Sequence, residues 1–113
     1  MLKTGTVLPV VGVTFYQNAV THTNVGDMVV LAHDAENPYD ANAVVIRNAD
    51  GQPLGHLPRS LAGRISDPAQ GGELHAVWTG TIAEKTSFDL DDGTPGQGLR
   101  ITLGSQVGAP AHT

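Results

Sequence analysis

The chain has 113 residues, 40% hydrophobic and 15% charged, which suits one modest core and is too short for two. It contains no cysteine, so disulfides, thiolate catalysis and cysteine-based zinc sites are excluded. A formal net charge of −5 argues against coating nucleic acid by bulk electrostatics, but leaves room for a local pocket that takes one strand end.

Fourteen glycines, seven prolines and many Val and Thr residues favour short strands and turns over helices. Lys3 precedes an apolar run, yet Gly5, Pro9 and Gly12 interrupt it, so it reads as strand and not as a leader. No stretch approaches the roughly 20 apolar residues of a membrane span. The expectation is a soluble, cytoplasmic protein, monomeric and without membrane association.

Residues 6–16 are the first expected strand, with Pro9 marking an edge or a bulge. Phe15 and Tyr16 would then point to opposite faces, one ring entering the core and the other staying available. Residues 17–25 read as a polar connection with one helical turn. Gly26-Asp27 opens a strand from Met28 to His33, whose two apolar faces imply cover on both sides or a barrel wall.

Asn37 to Arg59 organises the chain. Pro38 locks its own φ and pushes Asn37 extended, while Asp40 and Asn42 favour a tight turn by bonding their own backbone. Tyr39 sits in that turn, where no strand or helix period asks for a large ring. Val44, Val45 and Ile46 predict a buried strand and Asn48-Ala49-Asp50-Gly51 a hairpin turn. The return strand ends at Gly55-His56-Leu57, and Pro58 suits the first position of a helix.

That helix is expected over Pro58–Ser66, with Leu57, Leu61 and Ile65 as its buried stripe and Asp67-Pro68 as its stop. Residues 73–85 alternate Leu74, Ala76, Trp78 and Ile82 on one face, with a bend allowed at Gly80. Ser87 to Gly98 reads as a flexible acidic loop. Leu99, Ile101 and Leu103 form the last strand, with Arg100 and Thr102 facing out. The division is one domain over 1–104 and a flexible tail over 105–113. These elements amount to a mainly β chain of about six strands with one or two short helices, a small OB-like β-barrel.

Tyr39, Asp40, His56 and Arg59, supported by Phe15, form the strongest constellation. A helix start presents free N–H groups and a positive dipole end, which suit a phosphate, and His56 and Arg59 flank such a start. Tyr39 and Phe15 offer stacking planes indifferent to base identity. Asp40 suits a terminal hydroxyl and would repel a continuing phosphate. The bland reading has Tyr39 packed on the helix and Asp40 capping a turn. Arg47, Arg64 and Arg100 read as solvated charges, with Arg64 placed to extend a phosphate track from Arg59. The five histidines show no ligand spacing, Asp89–Gly93 lacks the later positions of a calcium loop, and Ser60 has no nucleophile-elbow glycines. No metal, cofactor or catalytic residue is expected.

The chain also resembles the HIRAN domain family. The matching features are Val11-Gly12-Val13 with Phe15, Gly26-Asp27, Asn37-Pro38-Tyr39-Asp40 followed by Asn42-Ala43-Val44, Gly55-His56-Leu57, and Leu61-Ala62. They span roughly residues 10–103, in the family's order. The resemblance implies a small OB-related barrel that captures the 3′-hydroxyl end of single-stranded DNA, as in a fork-remodelling helicase-like member. It places the terminal nucleotide at Tyr39 and Asp40, a stacked base on Phe15, and phosphate on His56 and Arg59. The family's further aromatic beyond the helix corresponds to Phe88. The DNA-binding member has an arginine before the first aromatic, where this chain has Thr14. The implied role is non-catalytic, in DNA repair or replication-fork processing, with a helicase or nuclease partner in trans. The alternative is a protein-interaction module that keeps the fold and has lost the nucleic acid.

Overall fold

The computed structural model describes residues 2–108. Six strands form one antiparallel sheet: β1 (Val7–Pro9), β2 (Met28–His33), β3 (Val44–Asn48), β4 (Pro53–His56), β5 (Val77–Asp89) and β6 (Pro95–Gly108). Their order is β1-β6-β5-β2-β3-β4, curled into a half-barrel. Two short helices accompany it, α1 (Gln17–Thr21) and α2 (Arg59–Ser66). No described helix is long and apolar enough to cross a membrane.

Strand alternation sets the concave face. Val29 and Leu31 of β2, Val44 and Ile46 of β3, and Leu54 of β4 point inward and are fully buried. Ile82, Ile101, Leu103 and Leu8 meet them from the other half of the sheet. The eight-residue α2 would be marginal alone. Ala62 and Ile65 bury it on the core, and the Ser66 hydroxyl donates to the Asn42 carbonyl at 2.7 Å.

The two ends of the sheet meet. Just past β1, the Val11 N–H donates to the His56 carbonyl at 2.8 Å, and the His56 N–H donates back to Val11 at 2.9 Å. Gly55 permits this approach: a Cβ there would lie 2.5 Å from the Val11 carbonyl oxygen and 2.7 Å from Val10 Cγ1.

Several expectations are corrected. Residues 6–16 are not one strand: β1 stops at Pro9, and Val13–Tyr16 form a 3-10 turn entered through Gly12 at φ 76°. Phe15 is still exposed and Tyr16 half-buried against the core, but helical spacing separates them, not strand alternation. Of the two alternatives for β2, the barrel wall is the one found: one face enters the core, and Met28, on the other, is 49% exposed. Pro58 has extended backbone and precedes α2, so the helix starts at Arg59, one position later than expected.

The acidic loop expected over Ser87–Gly98 is mostly strand. Backbone pairing continues from Lys85–Leu99 out to Asp89–Pro95, leaving a tip of five residues. At that tip Asp92 accepts from the Thr94 hydroxyl and N–H, and these bonds hold its carboxyl below the usual value. Likewise β6 runs to Gly108, four residues into the expected tail, because Val77 and Trp78 of β5 pair with Gly108 and Gln106. Residues 109–113 of that tail lie outside the described residues.

Gly55→Ala is expected to destabilise the fold by about 1–3 kcal/mol in urea unfolding, through overpacking against Val10 and Val11. It should also lower hydrogen-exchange protection of the His56 amide. Unchanged stability and protection would contradict this account of the closure.

Candidate nucleic-acid interface

A hollow of about 540 Å³ lies on the outer face of the sheet, where its two ends meet. Its floor is built from cross-strand pairs, Val45 opposite His56 and Arg47 opposite Pro53. These side chains face outward because their neighbours Val44 and Ile46 take the inward positions. One wall is the Val11–Tyr16 arm, carrying Phe15. The other is the 34–39 segment, carrying Asp34, Glu36 and Tyr39.

Phe15 is 83% exposed and Tyr39 88%. The chain has only five aromatic residues, and these two, the most exposed of them, line the same hollow. Neither ring is needed by the core. Phe15 also borders a second, more open hollow with Thr14, Phe88, Leu90 and the acidic tip of the β5–β6 hairpin.

The segment holding Tyr39 is tied at several points. Asn37 Oδ1 accepts from the N–H groups of Tyr39 at 2.8 Å and Asp40 at 3.0 Å. Asp40 Oδ1 accepts from the Asn42 N–H at 2.9 Å. The His33 ring donates to the Ala41 carbonyl at 2.7 Å, and the Asp34 N–H to Ala43 at 2.7 Å. Tyr39 is thus an exposed ring on a fixed mount, and little ordering cost remains for a ligand that stacks on it.

Beneath it, the His56 Nε2–H donates to Asp34 Oδ2 at 2.9 Å, both side chains being 22% exposed. Asp34 follows β2 on the same outward register as Val30 and Ala32. The sequence reading did not single Asp34 out. Counting by twos along β2, and noting the cross-strand position of Val45 and His56, finds it.

The structure brings Phe15, Tyr39 and His56 together. Asp40 follows Tyr39 but lies outside the lining; its Oδ1 closes the turn, while Oδ2 accepts no hydrogen bond among the described residues. Arg59 is exposed at the start of α2, outside the lining. Arg64 borders a separate hollow with Trp78 and Gln106. Thr14 and Phe88 belong to the neighbouring hollow. Among the described residues no three His, Asp or Glu side chains are grouped to hold a metal.

Asn37→Ala removes one acceptor serving two N–H groups. It should cost about 1–2 kcal/mol in denaturant unfolding and speed exchange of the Tyr39 and Asp40 amides. Protection equal to that of the unmodified chain would show that the side chain does not hold the turn.

The HIRAN domain family model matches residues 5–93. Helicase-like transcription factor from Homo sapiens is 42% identical over 57 residues, covering 50% of this chain and 5% of that protein. Its Mus musculus counterpart is 37% identical over the same length and with the same coverage. The chain therefore corresponds to a small part of the curated relatives it matches. The crystal structure of the HIRAN domain of human HLTF aligns with a TM-score of 0.56 at 27% identity, over 88% of this chain and 74% of that one. A crystal structure of a protein from Lactobacillus plantarum aligns equally well, at 0.56, over 88% and 92%; at 20% identity it supports the fold alone. The chain belongs to the HIRAN domain family.

Proposed function

We propose that this domain binds single-stranded DNA and holds its 3′-hydroxyl end, without chemistry of its own. The observation that carries the reading is the pair of exposed rings, Phe15 and Tyr39, on either side of a hollow floored by His56. Two solvent-facing aromatics around a polar floor are what stacked, splayed bases require. In the proposed pose Tyr39 and Phe15 stack bases and His56 meets a phosphate. Asp40 accepts the terminal hydroxyl through Oδ2, and Arg59 takes a phosphate beyond the hollow.

A carboxylate at the end of the path favours a hydroxyl and opposes a terminal phosphate, because like charges in a partly desolvated site repel. The same position disfavours a strand that continues. The hollow's lining contains no Ser or Thr to act as a nucleophile, which supports a binding role over hydrolysis through a covalent intermediate. Any processing of the captured end, in repair or at a fork, is assigned to a helicase or nuclease partner.

Fluorescence anisotropy with short strands ending in 3′-hydroxyl or 3′-phosphate tests this at low salt. The hydroxyl end should bind more tightly. Asp40→Ala should erase the difference, and Arg59→Ala should weaken both strands alike. Tyr39→Ala should cost roughly 1–3 kcal/mol of binding, about 5-fold to 150-fold. Equal binding of both ends by the unmodified chain overturns end capture. Binding of neither, together with capture of a specific protein, favours the interaction-module alternative.

A further inference from the structure

We infer that Arg47 is the cation that receives the strand's phosphate inside the hollow, an assignment that rests on the proposed strand binding and sharpens it. The chain has six Lys and Arg residues against eleven Asp and Glu, so the placement of each cation matters. Lys85 is occupied, its Nζ donating to the Thr21 and Thr23 carbonyls. Lys3 lies ahead of β1 and Arg59 and Arg64 on α2, all outside the hollow's lining, and Arg100 is on β6 across from Pro9 and Glu84. Among the described residues, Arg47 is the one Lys or Arg that lines the hollow with Phe15, Tyr39 and His56.

Its guanidinium is anchored at one point and keeps donors to spare. One N–H donates to the Gly51 carbonyl at 3.0 Å, which ties the group to the β3–β4 turn. That turn is itself fixed, since Asn48 Oδ1 accepts from the N–H groups of Asp50 and Gln52. A guanidinium has five N–H donors, so most remain for a ligand. Two carboxylates share the hollow. Asp34 is engaged by His56, and neither Asp34 nor Glu36 forms an ion pair with Arg47. An anchored guanidinium without a carboxylate partner among the described residues, beside two exposed rings, suits a phosphodiester oxygen pair. The strand would then run from the Asn37–Asp40 turn, across His56, toward the β3–β4 turn.

The test is a salt titration of binding by the full chain to a fluorescent oligothymidylate with a 3′-hydroxyl, from about 20 to about 200 mM salt. Arg47→Gln should weaken binding about tenfold at low salt and reduce the slope of log affinity against log salt by about 0.7, the loss of one phosphate contact. It should keep the preference for hydroxyl over phosphate ends, which the proposal places on Asp40. Arg47→Lys should retain most of the slope, because it keeps the charge, while losing affinity with the fork geometry. If the unmodified chain binds but Arg47→Gln leaves slope and affinity unchanged, the Arg47 assignment is wrong and strand binding stands. If the unmodified chain binds no strand, both fall together.

Discussion

The reciprocal backbone pair between Val11 and His56 is the constraint on which the rest of this structure depends. Without it the chain would be an open sheet with β1 and β4 at distant edges, and Phe15 would have no relation to His56. With it, the arm that follows β1 is laid beside β4, and a hollow forms on the convex face. Gly55 is the enabling residue, since any side chain there would occupy the Val11 carbonyl's position. A single close approach of two backbones therefore links the topology of the fold to the composition of the site.

The hollow divides labour in a way that suits an acidic protein. Apolar contact comes from rings that contribute little to the core, while the core is filled by aliphatic side chains and Trp78. Charge is handled locally. His56 engages Asp34 through Nε2 alone, and Arg47 lines the same hollow without an ionic partner among the described residues. A net charge of −5 spread over the surface then limits non-specific attraction without cancelling a single anchored guanidinium, since screening shortens the reach of distant charges to about 10 Å at ordinary salt. Such a surface favours contacts made at the site over adhesion along a strand.

Much of the fold was legible because strands declare themselves by alternation and turns by their residues. Met28–His33 appears where the pattern placed it, Val44–Ile46 is strand as expected and runs on to Asn48, and Asn48–Gly51 closes the hairpin between β3 and β4. The failures have physical reasons. Glycines and aspartates over 87–98 imitate a loop, yet the β5–β6 ladder needs only backbone pairing and tolerates their side chains. The run 6–16 looks extended by composition, but Gly12 at positive φ lets the chain turn into a 3-10 coil that composition does not announce. At the site, Tyr39 stood out because no period explained it, and Phe15 because one ring of the Phe15-Tyr16 pair had to stay out of the core. Asp34 and Arg47 were hidden because their importance lies in what they face across neighbouring strands, and that is a property of register.

The central claim is that one hollow, between the Phe15 arm and the Tyr39 turn, is the surface that meets the strand. The most direct measurement is a nuclear magnetic resonance titration of the isotopically labelled chain with a short single-stranded oligonucleotide. The amides of Phe15, Asp34, Tyr39 and His56 should shift together and along one binding curve, while Gly72 and Glu73, in the separate hollow beside Trp78, stay in place. Shifts centred on that second hollow, or none among the first four, would contradict the account.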